Sequence, residues 1–313
     1  MKTDSLGPGR QLHPCALLGL ATLLWAAPLH ARLNVVATLP DFGAVAEAVG
    51  GDRVTVTSIA RGTEDPHFVD ARPSYVRLLN QADVLIEGGA ELESGWLPPL
   101  VNGARNRKIL ADAPGHVLLA PSLHLLDVPA GPVDRAQGDV HALGNPHFWL
   151  DPANVKAIAQ VLADRFSRLA PADAPVFQAN REKFVAQLDL KTAEWTGLLA
   201  PYRGTKVVTY HKSFDYFLAR FGLTAAGTIE PKPGIEPSPG YVSGLVTNLK
   251  NAGVRLVLIE PFLPRKTPNY LAQALGAKLL LLPQSVGGGE NLKDYFALLD
   301  HDVNQVATAL KQP

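Results

Sequence analysis

Cysteine is nearly missing from this sequence: the 313 residues contain one, Cys15, and one methionine. Cys15 precedes an apolar run, Ala16 to Ala27, that follows a start carrying Lys2 and Arg10. Small residues then lead to Leu29-His30-Ala31. That order of positive start, short apolar run and small residues is expected to be a secretory signal peptide over residues 1–31, cleaved after about Ala31. Cys15 leaves with it. The remaining chain then has no thiol, which excludes a disulfide, a Cys-based zinc site and a cysteine nucleophile. Charge of one sign is also lacking, since Lys+Arg and Asp+Glu both number 29. A nucleic-acid binder usually carries a basic excess, so none is expected as a partner. No second apolar run approaches the length of a membrane span. Two compact motifs are missing as well: there is no HExxH, and Gly287-Gly288-Gly289 lacks the Lys-Ser/Thr that completes a phosphate loop.

What is present is an alternation of strand-like and helix-like segments, 47% hydrophobic and 19% charged overall. Residues 32–172 read as one α/β lobe. An apolar strand over 33–39 leads to a helix from Pro40 that Gly50-Gly51 closes, and further strands are expected over 53–59 and 83–86 around a helix over 74–80. Residues 121–144 have no period and read as loop. Asp151-Pro152 has the cap and first-turn chemistry of a helix start. Residues 173–201 read as one linking helix: Phe177, Phe184, Leu188, Trp195 and Leu199 recur at spacings of seven and four, a single stripe. At 1.5 Å per residue its core is roughly 37 Å long, a stiff spine able to span two lobes. Residues 202–313 read as a second α/β lobe. Strands are expected over 206–209, 255–260 and 278–282, helices over 213–221, 241–251 and 268–275, and a last helix carries Leu292 through Leu310. The expected fold is therefore α/β in two lobes, each a mostly parallel sheet flanked by helices, joined by one long rigid helix.

With cysteine excluded, metal chemistry falls to His, Asp and Glu. His67 stands in Asp65-Pro66-His67-Phe68 and His147 in Asn145-Pro146-His147-Phe148. Proline fixes its own φ and extends the residue before it, so each histidine leaves a stiff turn in a set direction. His211 directly follows the strand over 206–209, and open α/β sheets bind ligands at the carboxyl ends of their strands. Each histidine alone reads more readily as a capping or surface residue; together they can face one another across a cleft between lobes. His141 reads as a solvated loop residue ahead of the alternative, a rim residue that helps capture metal, and His116, His124 and His301 read as surface residues.

The chain resembles the solute-binding proteins that serve zinc and manganese ABC importers. The resemblance runs through Glu64-Asp65-Pro66-His67, Ala82 to Gly89, Leu92 to Leu97, Gly144 to Pro152, Tyr210 to Phe217, Glu236 to Pro239 and Ile259 to Phe262. It implies a periplasmic high-affinity receptor for zinc, with manganese second, that delivers its ion to the membrane permease of an ABC importer and works as a monomer without catalysis. It implies His67, His147 and His211 as metal ligands. The family often adds an aspartate in a loop after the last strand; Gln284 stands at the matching place here. The fourth position is then open to water, Gln284 or a carboxylate such as Glu260 or Glu290, while Gln284 also reads as a plain loop residue. Three imidazoles without a certain carboxylate favour zinc over manganese, which prefers oxygen. The competing expectation is a secreted zinc hydrolase using the same histidines with Glu260 or Glu64 as general base.

Overall fold

The structure, a computed structural model, describes residues 1–4, 32–131, 133 and 141–311. The apolar run and cleavage site of the expected leader lie outside the described residues. No described helix is long and apolar enough to cross a membrane.

The first sheet is built from β1 (Leu33–Ala37), β2 (Val54–Ser58), β3 (Val84–Glu87) and β4 (His116–Leu118), all parallel, in the order β2-β1-β3-β4. The central strands read as apolar runs because both of their faces are covered by protein; Val35, Val36, Val84 and Ile86 are fully buried. Helices α1 (Pro40–Gly50), α2 (Pro73–Gln81) and α3 (Leu97–Ala104) connect and flank these strands, each with proline in its first turn.

The second sheet repeats that plan with β5 (Lys206–Thr209), β6 (Thr224–Thr228), β7 (Val254–Ile259) and β8 (Lys278–Leu281), again parallel, in the order β6-β5-β7-β8. Helices α6 (Asp215–Phe221), α7 (Pro239–Leu249) and α8 (Lys266–Leu275) connect them. In both sheets the strand order reverses beside the first strand, which opens a crevice at the carboxyl edge.

Three helices tie the sheets together. These are α4 (Pro152–Leu169), α5 (Ala174–Leu199) and α9 (Tyr295–Lys311). Asp151 caps α4 by accepting from the Ala153 amide at 2.9 Å, with Pro152 at the first helical position. The 26 residues of α5 run about 39 Å at 1.5 Å per residue. Its buried residues are the expected stripe, Phe177, Phe184, Leu188, Trp195 and Leu199. Toward its start the Asn180 amide donates to the Val49 carbonyl of α1 at 3.1 Å; toward its end Trp195 Nε1 donates to Asp300 Oδ1 of α9 at 2.7 Å. One hydrophobic cluster therefore runs from Val35 of the first sheet through α4 and α5 to Leu310, and a smaller one around Val208, Val257 and Leu271 fills the other face of the second sheet.

Polar bonds lock the loops between sheets. Trp149 Nε1 donates to the Gln284 carbonyl at 2.7 Å, the Tyr295 hydroxyl donates to the Trp149 carbonyl at 2.9 Å, and the Val286 amide donates to Asp41 Oδ1 at 3.0 Å. Gly62 touches the loop after β8 so closely that a Cβ there would stand 2.1 Å from the Val286 carbonyl oxygen, so only glycine fits.

Sequence reading did not find α3, β4 or β6. β4 has three residues, and β6 is Thr-Ala-Ala-Gly-Thr, poor in the bulky residues that mark a strand. Both are edge strands held by one neighbour. The last helix begins at Tyr295, and Leu292 is buried in the preceding turn.

Candidate metal centre

The carboxyl edge of the second sheet carries several polar side chains into one place: His211 two residues past β5, Glu230 past β6, Glu260 one residue past β7 and Gln284 past β8. From the first lobe come His67, on the turn after β2, and His147, directly before the short turn that leads into α4. Among the described residues, one group of three or more His, Cys, Asp or Glu brings its ligand atoms within 4.8 Å of one another: His67, His147 and His211. The ring centroids form a near-equilateral triangle, 5.1 Å from His67 to His147, 5.1 Å from His147 to His211 and 5.3 Å from His67 to His211.

Each ring has an oxygen on its Nδ1. Asp65 Oδ1 lies 2.8 Å from His67 Nδ1, Asn145 Oδ1 2.9 Å from His147 Nδ1, and Glu230 Oε2 2.7 Å from His211 Nδ1. An oxygen acceptor there holds the hydrogen on Nδ1 and leaves Nε2 as the lone-pair donor, the tautomer a metal needs. The two Asx-Pro-His turns use one device. The Asx oxygen accepts from the ring and also from the histidine's own amide, at 2.9 Å in Asp65 and 3.0 Å in Asn145. Proline keeps Asx and His at that spacing, so the short polar residue is the orienting group. Asn145 has a further duty: its amide donates to the Lys212 carbonyl at 2.9 Å, tying the His147 turn to the residue after His211. A carboxylate could not donate there, which accounts for Asn at 145 and Asp at 65. Trp96 Nε1 braces the other turn through the Pro66 carbonyl at 3.0 Å.

Electrostatics separates the three rings. His147 is 1% exposed, and burial with the neighbouring histidines pushes its pKa well below the ordinary value, so it stays neutral. Burial also pulls His211 down, but the Glu230 hydrogen bond and the charges of Glu230, Glu260 and Asp65 outweigh it and leave its pKa raised. Burial pushes Glu260 up to about 7.

Several buried polar atoms around the rings have no hydrogen-bond partner: His147 Nε2, Glu260 Oε2 and Gln284 Oε1. Burying one such atom unsatisfied costs about 1–3 kcal/mol. All three can donate an electron pair and belong to residues lining the cavities on either side of His211, which fits a cation as the missing partner. Glu260 and Gln284 line a cavity of about 30 Å³ together with Asp65, His67 and His211. Glu260 Oε1 is held by the Ser213 hydroxyl, and its carboxylate stands outside the compact triad. Glu290 is exposed and is not among the residues that line this cavity.

Two readings of the other histidines are corrected. His141 is no solvated loop residue: its ring lies on that of His67, centroids 5.3 Å apart, which leaves the alternative of a part in metal capture. His116 is paired with Glu87, Nε2 to Oε2 at 2.7 Å, and partly buried, because β4 adds to the sheet beside β3. The orienting oxygens Asp65, Asn145 and Glu230 were not singled out from the sequence. The Asx two residues before each histidine was the available signal, whereas Glu230 lies 19 residues from His211 and had none. Removing an orienting oxygen is expected to matter nearly as much as position itself: Asp65→Ala and Glu230→Ala should each weaken zinc binding about 10–100-fold. Competition titration against a chromophoric chelator measures this, and unchanged affinity in both variants would discard the orienting role.

The sequence profile of the family described as zinc-uptake complex component A, periplasmic (ZnuA), matches residues 35–309. The chain is 28% identical over 316 residues to the high-affinity zinc uptake system protein ZnuA of Yersinia pestis, covering 95% of this chain and 97% of that one. It is 25% identical over 286 residues to the manganese-binding lipoprotein MntA of Halalkalibacterium halodurans, covering 90% and 89%. A crystal structure of a ZnuA deletion mutant with zinc bound is similar at a TM-score of 0.73 and 25% identity, covering 89% of this chain and 98% of that one.

Proposed function

Because the chain belongs to the periplasmic zinc-uptake component A family, we propose that it is the metal-binding receptor of an ABC importer, capturing one zinc ion through His67, His147 and His211 and releasing it to a membrane permease. The observation that carries this reading is the convergence of three imidazoles from two lobes, each with Nδ1 bound to an oxygen and Nε2 left to donate. Nitrogen donors of this kind suit zinc; manganese, the ion named for one relative, prefers oxygen and takes second place. Zinc is cargo here, so the site must hold the ion firmly and still let it go. Placing its ligands on separate loops of two lobes serves that end, since a small relative movement of the lobes separates His211 from His67 and His147. The site is complete within one chain, which supports a monomer. We read residues 1–31 as the leader that sends the protein to the periplasm, 32–172 and 202–313 as the lobes and 173–201 as the linking helix.

A zinc hydrolase with the same histidines is the rival. It needs room for a substrate beside the ion. Among the described residues, concavities beside the rings measure about 30, 60 and 120 Å³, against roughly 300–1,000 Å³ for a pocket that encloses a drug-sized ligand. That difference favours capture over catalysis.

Chelator-stripped protein titrated with zinc in a calorimeter should bind one ion and gain thermal stability, about 4 kcal/mol at a thousandfold excess of free metal over Kd. Affinity should fall with acidity, because the metal takes neutral imidazole. The sign follows from His211: its raised pKa means that a proton occupies the ring to a pH above the ordinary value of about 6.5, and zinc must displace it. Below that point affinity should drop about tenfold per pH unit for one competing proton. Absence of zinc binding, or steady turnover of ester or peptide substrates by the zinc-loaded protein, would replace the receptor reading.

A further inference from the structure

We infer that His141 is a fourth ligand to the same ion, completing a centre of four imidazoles. The inference rests on the zinc-receptor reading above and deepens it.

His141 Nε2 lies 3.3 Å from His67 Nε2, with the rings stacked at 27°. That distance has a meaning in coordination geometry. Zn–N bonds of about 2.0–2.1 Å in a tetrahedron set the edge between two ligand nitrogens at about 3.3–3.4 Å. The orientation of the two nitrogens agrees. His67 holds its hydrogen on Nδ1 through Asp65, so its Nε2 is a bare lone pair. The His141 ring also hydrogen-bonds the Ala90 backbone, and its Nε2 is the nitrogen that faces His67. Two lone pairs facing each other at 3.3 Å repel unless a cation stands beside both. The fourth ring thus repeats the pattern of the other three, one nitrogen on an oxygen and the other turned to a neighbouring imidazole.

His141 is also held in place. The Ala142 amide donates to Glu91 Oε2 at 2.6 Å, and the Gly144 amide donates to the His141 carbonyl at 3.1 Å. The turn so closed runs straight into Asn145-Pro146-His147, so one segment delivers two ligands six residues apart. His141 shares a concavity with His147 and His211, on a flank lined by Asn145 and Lys212; Gln284 and Glu260 line the other cavity. The triad's ligand atoms stand within 4.8 Å of one another and His141 meets the group through His67, so for its Nε2 to join the same ion the His141 turn must move inward. An imidazole is a stronger zinc donor than the Gln284 amide, and a fourth nitrogen sharpens the preference for zinc over manganese.

X-ray absorption at the zinc edge of the untagged, zinc-loaded chain tests this. Four imidazole nitrogens are expected in the wild type, and three with one oxygen in His141→Ala, with affinity for zinc lowered about 10–100-fold by chelator competition. Co²⁺-loaded protein should show a matching change in its visible d–d bands. A wild type with three imidazoles and one oxygen, or a His141→Ala variant with wild-type affinity and spectrum, overturns the role of His141 and leaves the receptor standing. A wild type that binds no zinc removes both. The wild-type spectrum alone decides the ligand count, so the test survives a variant that folds poorly.

Discussion

His147→Ala should remove high-affinity zinc binding altogether, with a loss larger than the roughly 100-fold that an orienting partner can cost. His147 is the most enclosed of the three rings at 1% exposed, and its Nε2 is buried without a partner. Alanine there deletes one corner of the donor triangle and leaves a void where water is a weaker ligand. Stability should move differently. In the metal-free protein, the substitution removes an unsatisfied nitrogen that costs about 1–3 kcal/mol, and this offsets much of the packing lost with the ring. The signature is therefore a nearly unchanged melting temperature without metal and a vanished gain with it. Calorimetric titration and thermal melts of one preparation show both. His67→Ala and His211→Ala should behave likewise, and zinc affinities equal to wild type in all three would end the triad reading.

The largest effect on folding is expected from Trp149→Ala. Trp149 is fully buried, with Phe42 edge-on at 5.8 Å, Phe148 at 6.1 Å and the His147 ring at 5.4 Å. Truncating a buried tryptophan costs about 3–5 kcal/mol. Here it also loosens the tie between lobes, because Trp149 Nε1 holds the Gln284 carbonyl, while the bond from Tyr295 to the residue-149 backbone carbonyl remains. Zinc affinity should fall with stability, since the His147 ring loses its backing. Trp149→Phe separates the two contributions: it keeps an aromatic ring and deletes the donor, leaving the Gln284 carbonyl short of one bond at about 1–3 kcal/mol. Urea unfolding of the metal-free proteins gives the values. A Trp149→Ala protein within about 1 kcal/mol of wild type would contradict the clamp.

Much of the architecture was readable before any coordinates. The central strands β1, β5 and β7 are near-continuous apolar runs, the signal of parallel strands covered on both faces. The stripe on α5 was visible because a helix that packs against α1, α4 and α9 along its whole length must repeat its apolar contacts on one side. β4 and β6 were not readable, since an edge strand is recruited by its neighbour's unpaired backbone and needs little of its own composition.

For the site, local chemistry determined two things. With Cys15 the single thiol of the sequence, imidazole and carboxylate were left as metal donors, and the repeated Asx-Pro-His turn set the direction of two rings, because proline and an Asx oxygen act within three consecutive residues. The tertiary structure alone decided the rest. His211 and Glu230 meet because β5 and β6 are neighbours in the sheet, and Gln284 reaches the rings because β8 ends at the same edge. His141 is stacked on His67, 74 residues away, by a loop with no period to reveal it. Short-range sterics and hydrogen bonds are written in neighbouring residues. Convergence across two lobes depends on strand order and helix packing, which no local stretch of chain contains.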